Sequence, residues 1–86
     1  MKMRLLARNM WSDYDTYIGR KKGFTVEIRT SFRTQHEDYG LFQYFIKTPT
    51  GEMKSAIKDN LSFNSFNECF DYVDGWIDQQ LKIKTE

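Results

Sequence analysis

Alternation of apolar and polar side chains predicts a β-strand over residues 24–33. Apolar residues stand there at nearly every second position, which is typical of a strand with one buried face; they are Phe24, Val26, Ile28 and Phe32. A second strand is predicted over residues 41–48, where large side chains occupy both faces. Pro49 and Gly51 predict a turn, because Pro49 fixes its own φ and Gly51 can adopt a positive φ. A third strand over residues 53–58 completes an antiparallel meander.

A different spacing predicts an amphipathic helix over residues 65–82. Apolar side chains recur there at intervals of three and four positions, at Phe66, Cys69, Phe70, Val73, Trp76, Ile77 and Leu81. Ser65 and Glu68 form a capping box, in which the Ser65 hydroxyl accepts a hydrogen bond from the Glu68 backbone N–H. Gly75 interrupts this helix at a cost of about 1 kcal/mol relative to alanine. It marks either a close backbone approach or a simple weak point.

The first 23 residues fit two structures. A helical stripe is one, through Met3, Leu6, Met10, Tyr14 and Tyr17; a strand over residues 14–18 is the other. We favour irregular or strand structure after Trp11, because residues 12–15 have the composition of a turn or cap. The expected fold is α+β in a single domain, residues 1–86. A three-stranded meander spans 24–58, the helix over 65–82 packs on one of its faces, and residues 1–23 extend or cover the sheet.

Composition excludes several classes of protein. The chain has 86 residues, one cysteine and one histidine, so a disulfide scaffold, a zinc finger and a multi-histidine metal centre are excluded. No run of 18 apolar residues is present, so no membrane association is expected. The first residues carry too short an apolar run for a secretory signal. We therefore expect a cytoplasmic protein with a reduced thiol.

The succession of these elements resembles that of a group of small proteins. The strand at 24–33, the aromatic strand, the turn at Pro49, the capping box and the Trp76-Ile77 helix follow one another as in small β-β-β-α conserved hypothetical proteins of cyanobacteria and phages. That resemblance implies a fold and no activity. A helical N-terminus would give an α-β-β-β-α order similar to the double-stranded RNA-binding domain. That family binds RNA through a Lys-rich start of its last helix, whereas residues 65–71 contain no lysine, so none of its binding residues is carried over.

Catalytic chemistry has little support in the sequence. Cys69 lies one turn into the helix, where the helix dipole lowers a thiol pKa. It also lies on the apolar stripe, and we interpret it as a small buried core residue. His36, Glu37 and Asp38 are adjacent in a polar loop, and neighbouring loop residues rarely aim at one ion. We expect no enzyme, no cofactor and no metal site.

Charge is distributed unevenly although the net charge is only +1. Residues 1–23 hold six basic and two acidic side chains, and residues 65–86 hold two basic and five acidic ones. Three acids share one helix face and form an acidic ridge: Asp71, Asp74 and Asp78. The ridge either keeps the chain soluble or steers a basic partner. The basic N-terminal segment either pairs with the acidic helix, which we prefer, or contacts nucleic acid.

These observations lead to two functional hypotheses. The first is a small non-enzymatic binding or regulatory module that acts through a protein partner or as a homodimer. Its anchors are aromatic residues of the second strand, either Phe42 and Tyr44 or, in the opposite register, Phe45, with the acidic ridge steering association. Whether residues 1–18 cover that face is left open. The alternative is a nucleic-acid-binding protein that uses a basic loop and neighbouring arginines: Arg20, Lys21, Lys22, Arg29 and Arg33.

Overall fold

The computed structural model describes residues 1–5, 14–31, 37 and 39–84, and it has an α+β fold. The elements follow one another as β1 (Met3–Leu5), β2 (Tyr14–Lys21), β3 (Phe24–Ser31), β4 (Phe42–Lys47), β5 (Met53–Ser55), α1 (Ala56–Asp59) and α2 (Phe66–Lys84). The five strands form one antiparallel sheet in the order β1-β2-β3-β4-β5. The α+β class and the meander are confirmed. The expected strand count of three is wrong, because the N-terminal segment extends the sheet by two strands.

A two-residue turn makes β2 a strand rather than a helix. Lys21 pairs with Phe24 across the turn, and its two central residues, Lys22 and Gly23, have φ values of 50° and 87°. Two-residue turns with positive φ at both positions match the twist of antiparallel strands. The helical stripe through Tyr14 and the α-β-β-β-α order are therefore wrong. The remaining N-terminal positions of that stripe before β2, residues 6–13, lie outside the described residues.

Strand β1 pairs with β2 at a position where β2 has a glycine, Gly19. Met3 pairs with Gly19, and a Cβ atom on Gly19 would lie 2.8 Å from the carbonyl oxygen of Lys2 and 2.9 Å from Cγ of Met3. Real Cβ atoms essentially never come this close to their neighbours. Gly19 therefore permits the close approach of β1.

The predicted turn after β4 is confirmed, and the strand that follows it is shorter than expected. Gly51 has a φ of 90°, and its N–H donates to the Thr48 carbonyl at 3.0 Å. The third predicted strand, 53–58, ends at Ser55. The Ser55 side chain accepts a hydrogen bond from the Lys58 N–H at 3.2 Å and caps α1. A local cap thus converts the expected strand end into one helical turn.

Helix α2 packs on one face of the sheet and encloses the core. The buried core consists of Phe24, Val26, Ile28, Tyr44, Ile46, Ala56, Cys69, Val73 and Ile77. The Ser65 cap is confirmed, because its Oγ accepts from the Glu68 N–H at 3.2 Å. A Cβ atom on Gly75 would meet nothing within 4 Å, so Gly75 is not a site of close approach. Within the described part of the chain, no helix combines the length and apolarity that crossing a membrane requires.

Candidate interaction surface

The strand registers define which side chains face away from α2. Because side chains alternate between the two faces of a strand, the positions between the buried ones point away from α2. We call this set the outward face: Thr16, Ile18, Arg20, Thr25, Glu27, Arg29, Gln43, Phe45, Lys47 and Met53. Arg4 joins this face opposite Ile18. The described cations here outnumber the single acid, Glu27. The outward face is therefore positively charged, whereas α2 carries the acidic ridge.

The aromatic residues of β4 divide between the two faces. Tyr44 is fully buried beneath α2, and the ring centroid of Phe42 lies 6.3 Å from that of Phe66 in the helix. The interpretation that places Phe42 and Tyr44 outward is therefore wrong, because both face the core. Phe45 faces outward opposite Glu27, as the opposite register requires.

Phe45 lies on the outward face beside two charged residues of β3, Glu27 and Arg29. The guanidinium carbon of Arg29 lies 4.5 Å from the centroid of the Phe45 ring, and Arg29 Nη2 lies 2.6 Å from a carboxylate oxygen of Glu27. The carboxylate thus fixes the cation over the ring. Phe45 and Met53 share the lining of a cleft of about 210 Å³. This cleft presents an apolar floor with a positively charged wall.

Exposed apolar side chains continue from this cleft around α1. Met53, Ile57 and Leu61 are 54%, 64% and 37% exposed. A second cavity, of about 280 Å³, lies beside Gln43 and is lined by Ile57 and Leu61. Gln43 is the next outward residue of β4 after Phe45, so both cavities are lined in part by β4. We call Phe45, Met53, Ile57 and Leu61 the apolar patch.

The structure brings the acidic ridge and the basic N-terminal segment together. The Lys21 ammonium nitrogen lies 2.8 Å from Oδ1 of Asp74 and 2.6 Å from Oδ1 of Asp78. Hydrogen bonds to these carboxylates raise the pKa of Lys21 above its ordinary value. The same bond to Lys21 lowers the pKa of Asp78. Asp71 is exposed. The expected pairing of the N-terminal segment with the helix is thus present at Lys21.

The candidate nucleic-acid contacts are dispersed. Arg20 and Arg29 lie on the outward face, and Lys22 is exposed in the β2–β3 turn. Lys21 lies instead on the helix side, where it pairs with the acidic ridge. Arg33 lies outside the described residues. The five predicted contacts therefore do not form one surface.

A polar network between β4, β5 and α1 was absent from the sequence predictions. The Tyr44 hydroxyl donates to Oδ2 of Asp59, and the Lys54 ammonium lies 2.7 Å from the same oxygen. The hydrogen bond to Lys54 holds the pKa of Asp59 below its usual range. Burial raises the pKa of Tyr44. The network ties α1 to the sheet. In the sequence, the only sign of it is that Tyr44 occupies an alternating position of a predicted strand.

The residues considered for nucleophile or metal chemistry are Cys69 and the loop residues His36, Glu37 and Asp38. Cys69 is 0% exposed, so the prediction that it is a small buried core residue is confirmed. Burial raises the pKa of its thiol to about 12. His36 and Asp38 lie outside the described residues. The described ranges contain no group of three or more His, Cys, Asp or Glu side chains that could hold a metal ion.

Comparison with known proteins adds no further assignment. No protein-family model, no curated protein and no solved structure matches the chain.

Proposed function

We propose that the chain is a small non-enzymatic binding module that acts through a protein partner at the apolar patch. The observation that carries this proposal is the concentration of large exposed apolar side chains within residues 53–61, beside the outward Phe45. Contiguous exposed apolar surface is typical of interaction sites. Aromatic and methionine side chains are enriched at the centres of such interfaces.

The charge around the patch favours an acidic partner over a second copy of the chain. A two-fold dimer would place the outward face against itself and oppose like charges, which include Arg29 and Lys47. An acidic rim on a different protein would complement the same side chains. The acidic ridge has a smaller role in this proposal, because Asp74 and Asp78 are engaged by Lys21.

The test compares variants of the patch with an equally exposed apolar residue elsewhere. Full-length chain is immobilised, and retained host proteins are identified for wild type, Phe45→Asp, Ile57→Asp and the control Ile83→Asp. Ile83 is 68% exposed near the end of α2. We expect one partner with an acidic contact surface to be lost with Phe45→Asp and Ile57→Asp and retained with Ile83→Asp. Equal retention by all variants would contradict the proposal.

Analytical ultracentrifugation of the same variants tests the choice of occupant. We expect a monomer for wild type and for each variant. A dimer that dissociates in Ile57→Asp, while Ile83→Asp remains dimeric, would show that a second copy occupies the patch instead. Each variant should fold, because all three positions are at least partly exposed. Circular dichroism checks this.

Nucleic-acid binding remains the second candidate. One observation favours it: the Arg29 guanidinium and the Phe45 ring are held together on a positively charged face, an arrangement that can contact phosphates and stack a base. Titration of single-stranded RNA and DNA across salt concentration distinguishes it. Phe45→Ala should weaken a stacked complex, and Lys22→Gln should change it little.

A cytoplasmic location belongs to the same proposal. Cys69 is a free thiol, and reduced single cysteines are common in cytoplasmic proteins. Fractionation of host cells would test the location directly.

A further inference from the structure

A cavity of about 560 Å³ lies between β1 and β2, at the sheet edge remote from the apolar patch. Three of its lining residues are cationic: Lys2, Arg4 and Arg20. Ile18, Gly19 and Met3 complete the lining. We propose that this β1–β2 cavity is an anion-binding site that takes the phosphate groups of a nucleotide.

The strand register concentrates positive charge in the cavity. Arg4 pairs with Ile18 and Met3 with Gly19, so the same register extended by one residue places Lys2 opposite Arg20. Like charges directly opposite one another destabilise an antiparallel pair. Arg4 is the diagonal neighbour of Arg20 across the same two strands. An anion bound between these side chains would relieve their mutual repulsion.

No acid within the described residues neutralises these three cations. Four carboxylates, of Glu27, Asp59, Asp74 and Asp78, are paired with Arg29, Lys54 and Lys21 instead. Glu27 is the neighbour of Ile18 on β3, but its carboxylate is bonded to Arg29 at 2.6 Å. Among the described residues, the charge of Lys2, Arg4 and Arg20 is therefore available to a ligand.

The chemistry of the lining favours phosphate. An arginine guanidinium group can donate two parallel hydrogen bonds to the oxygens of one phosphate, and it remains charged at every physiological pH. Ile18 adds an apolar wall against which a base can pack. The volume lies within the roughly 300–1,000 Å³ that is usual for small-molecule sites. A nucleotide combines an anionic group with a flat apolar one, as the lining does.

This inference does not depend on the proposed protein partner. The cavity involves β1 and β2, whereas the apolar patch involves β4, β5 and α1. If no protein partner were captured, the proposal of anion binding in the cavity would still stand. Variants at Ile57 should not change anion binding.

Binding to the full chain at low salt is measured by titration calorimetry with three probes: inorganic pyrophosphate, ATP and a short single-stranded oligonucleotide. Variants are Arg4→Gln and Arg20→Gln, with Lys58→Gln as a control that removes an exposed cation from α1. We expect each arginine variant to weaken ATP binding about tenfold, as loss of one charge-assisted hydrogen bond implies. The control should bind as wild type does.

Comparison of the three probes distinguishes a free nucleotide from a nucleotide within a nucleic-acid strand. Saturable ATP binding that depends on Arg4 and Arg20 supports a free nucleotide. Tighter oligonucleotide binding with the same dependence supports a nucleotide within a nucleic-acid strand. Binding that is unchanged in both arginine variants, or absent for all three probes, overturns the proposal.

Thermal melts supply a readout that a purely structural role would not produce. Without ligand, Arg20→Gln should melt at or above the temperature of wild type, because a repulsive charge is gone. Pyrophosphate should raise the melting temperature of wild type more than that of Arg20→Gln, with chloride at equal ionic strength as control. Equal shifts in both proteins would contradict a site in the cavity.

Discussion

The ammonium nitrogen of Lys21 lies 2.6 Å from Oδ1 of Asp78, across 57 positions of sequence. The contact joins the end of β2 to the outer side of α2, and Asp74 joins it one helical turn earlier. It fastens the β2–β3 hairpin to the helix that covers the core. The contact also explains why acids are tolerated near the C-terminal half of α2, where the helix dipole disfavours negative charge.

Removal of this contact should lower stability in a pH-dependent way. The pKa of Asp78 is lowered in the folded chain, so its contribution is present above the ordinary carboxyl pKa and is lost as pH falls through the folded value. The pKa of Lys21 is raised, so its contribution is present below the ordinary lysine pKa and is lost as pH rises through the folded value. Melting temperatures of wild type and Lys21→Met should therefore differ most between about pH 4 and pH 10.

Lys22→Met is the matched control for this prediction. Lys22 is the next residue and is exposed in the turn, so its removal should leave the melting temperature nearly unchanged at every pH. A pH-independent difference between wild type and Lys21→Met would show that the lysine stem, rather than its charge, supplies the stabilisation.

Truncation of two isoleucines of α2 should have very different effects on stability. Ile77 is 0% exposed within the core, so Ile77→Ala should lower the free energy of unfolding by about 2–5 kcal/mol. Ile83→Ala removes the same atoms from an exposed position and should change it by less than about 0.5 kcal/mol. Urea denaturation followed by circular dichroism measures both. Similar losses in the two variants would contradict the packing of α2.

Gly75→Ala should stabilise the chain by up to about 1 kcal/mol, because alanine favours a helix interior and the position has free space around it. Gly19→Ala is the contrasting change, since its Cβ would overlap the backbone of Lys2. That variant should be destabilised and should lose the pairing of β1 with β2. Chemical denaturation gives the two free energies, and hydrogen exchange of the β1–β2 amides detects the local loss.

The Cys69 thiol should be inert in the folded chain. Its burial and a pKa of about 12 keep it protonated at neutral pH, and thiolate is the reactive form. Ellman's reagent should label it only after denaturant is added. Rapid labelling of the native chain at neutral pH would contradict the burial of Cys69.

The sequence predicted elements whose signal is local. Alternation from Phe24 onward identified β3, and the Ser65 cap identified the start of α2. The turn around Gly51 was recognisable from its own residues. Strand β2 was ambiguous, because Tyr14 and Tyr17 fit the periodicity of a helix as well as that of a strand. The ambiguity is resolved only when Lys22 and Gly23 are interpreted as the turn of a hairpin.

Properties that depend on distant residues could not be predicted in the same way. The pleat of β4 permits either face to be buried, and only α2 decides that Phe45 faces outward. The partners of Asp59 come from β4 and β5, so no spacing within α1 reveals them. The apolar patch arises because α1 replaces the end of the strand that was predicted over residues 53–58.

The outermost strands, β1 and β5, have three residues each. An exposed strand edge is a template for addition of further chains, and proteins limit this by short edges and by charge. Lys2 and Arg4 supply charge at one edge, and at the other the chain turns into α1 directly after Ser55. Short edges and edge charge disfavour the addition of further strands, so the cations of the β1–β2 cavity oppose edge-to-edge pairing as well.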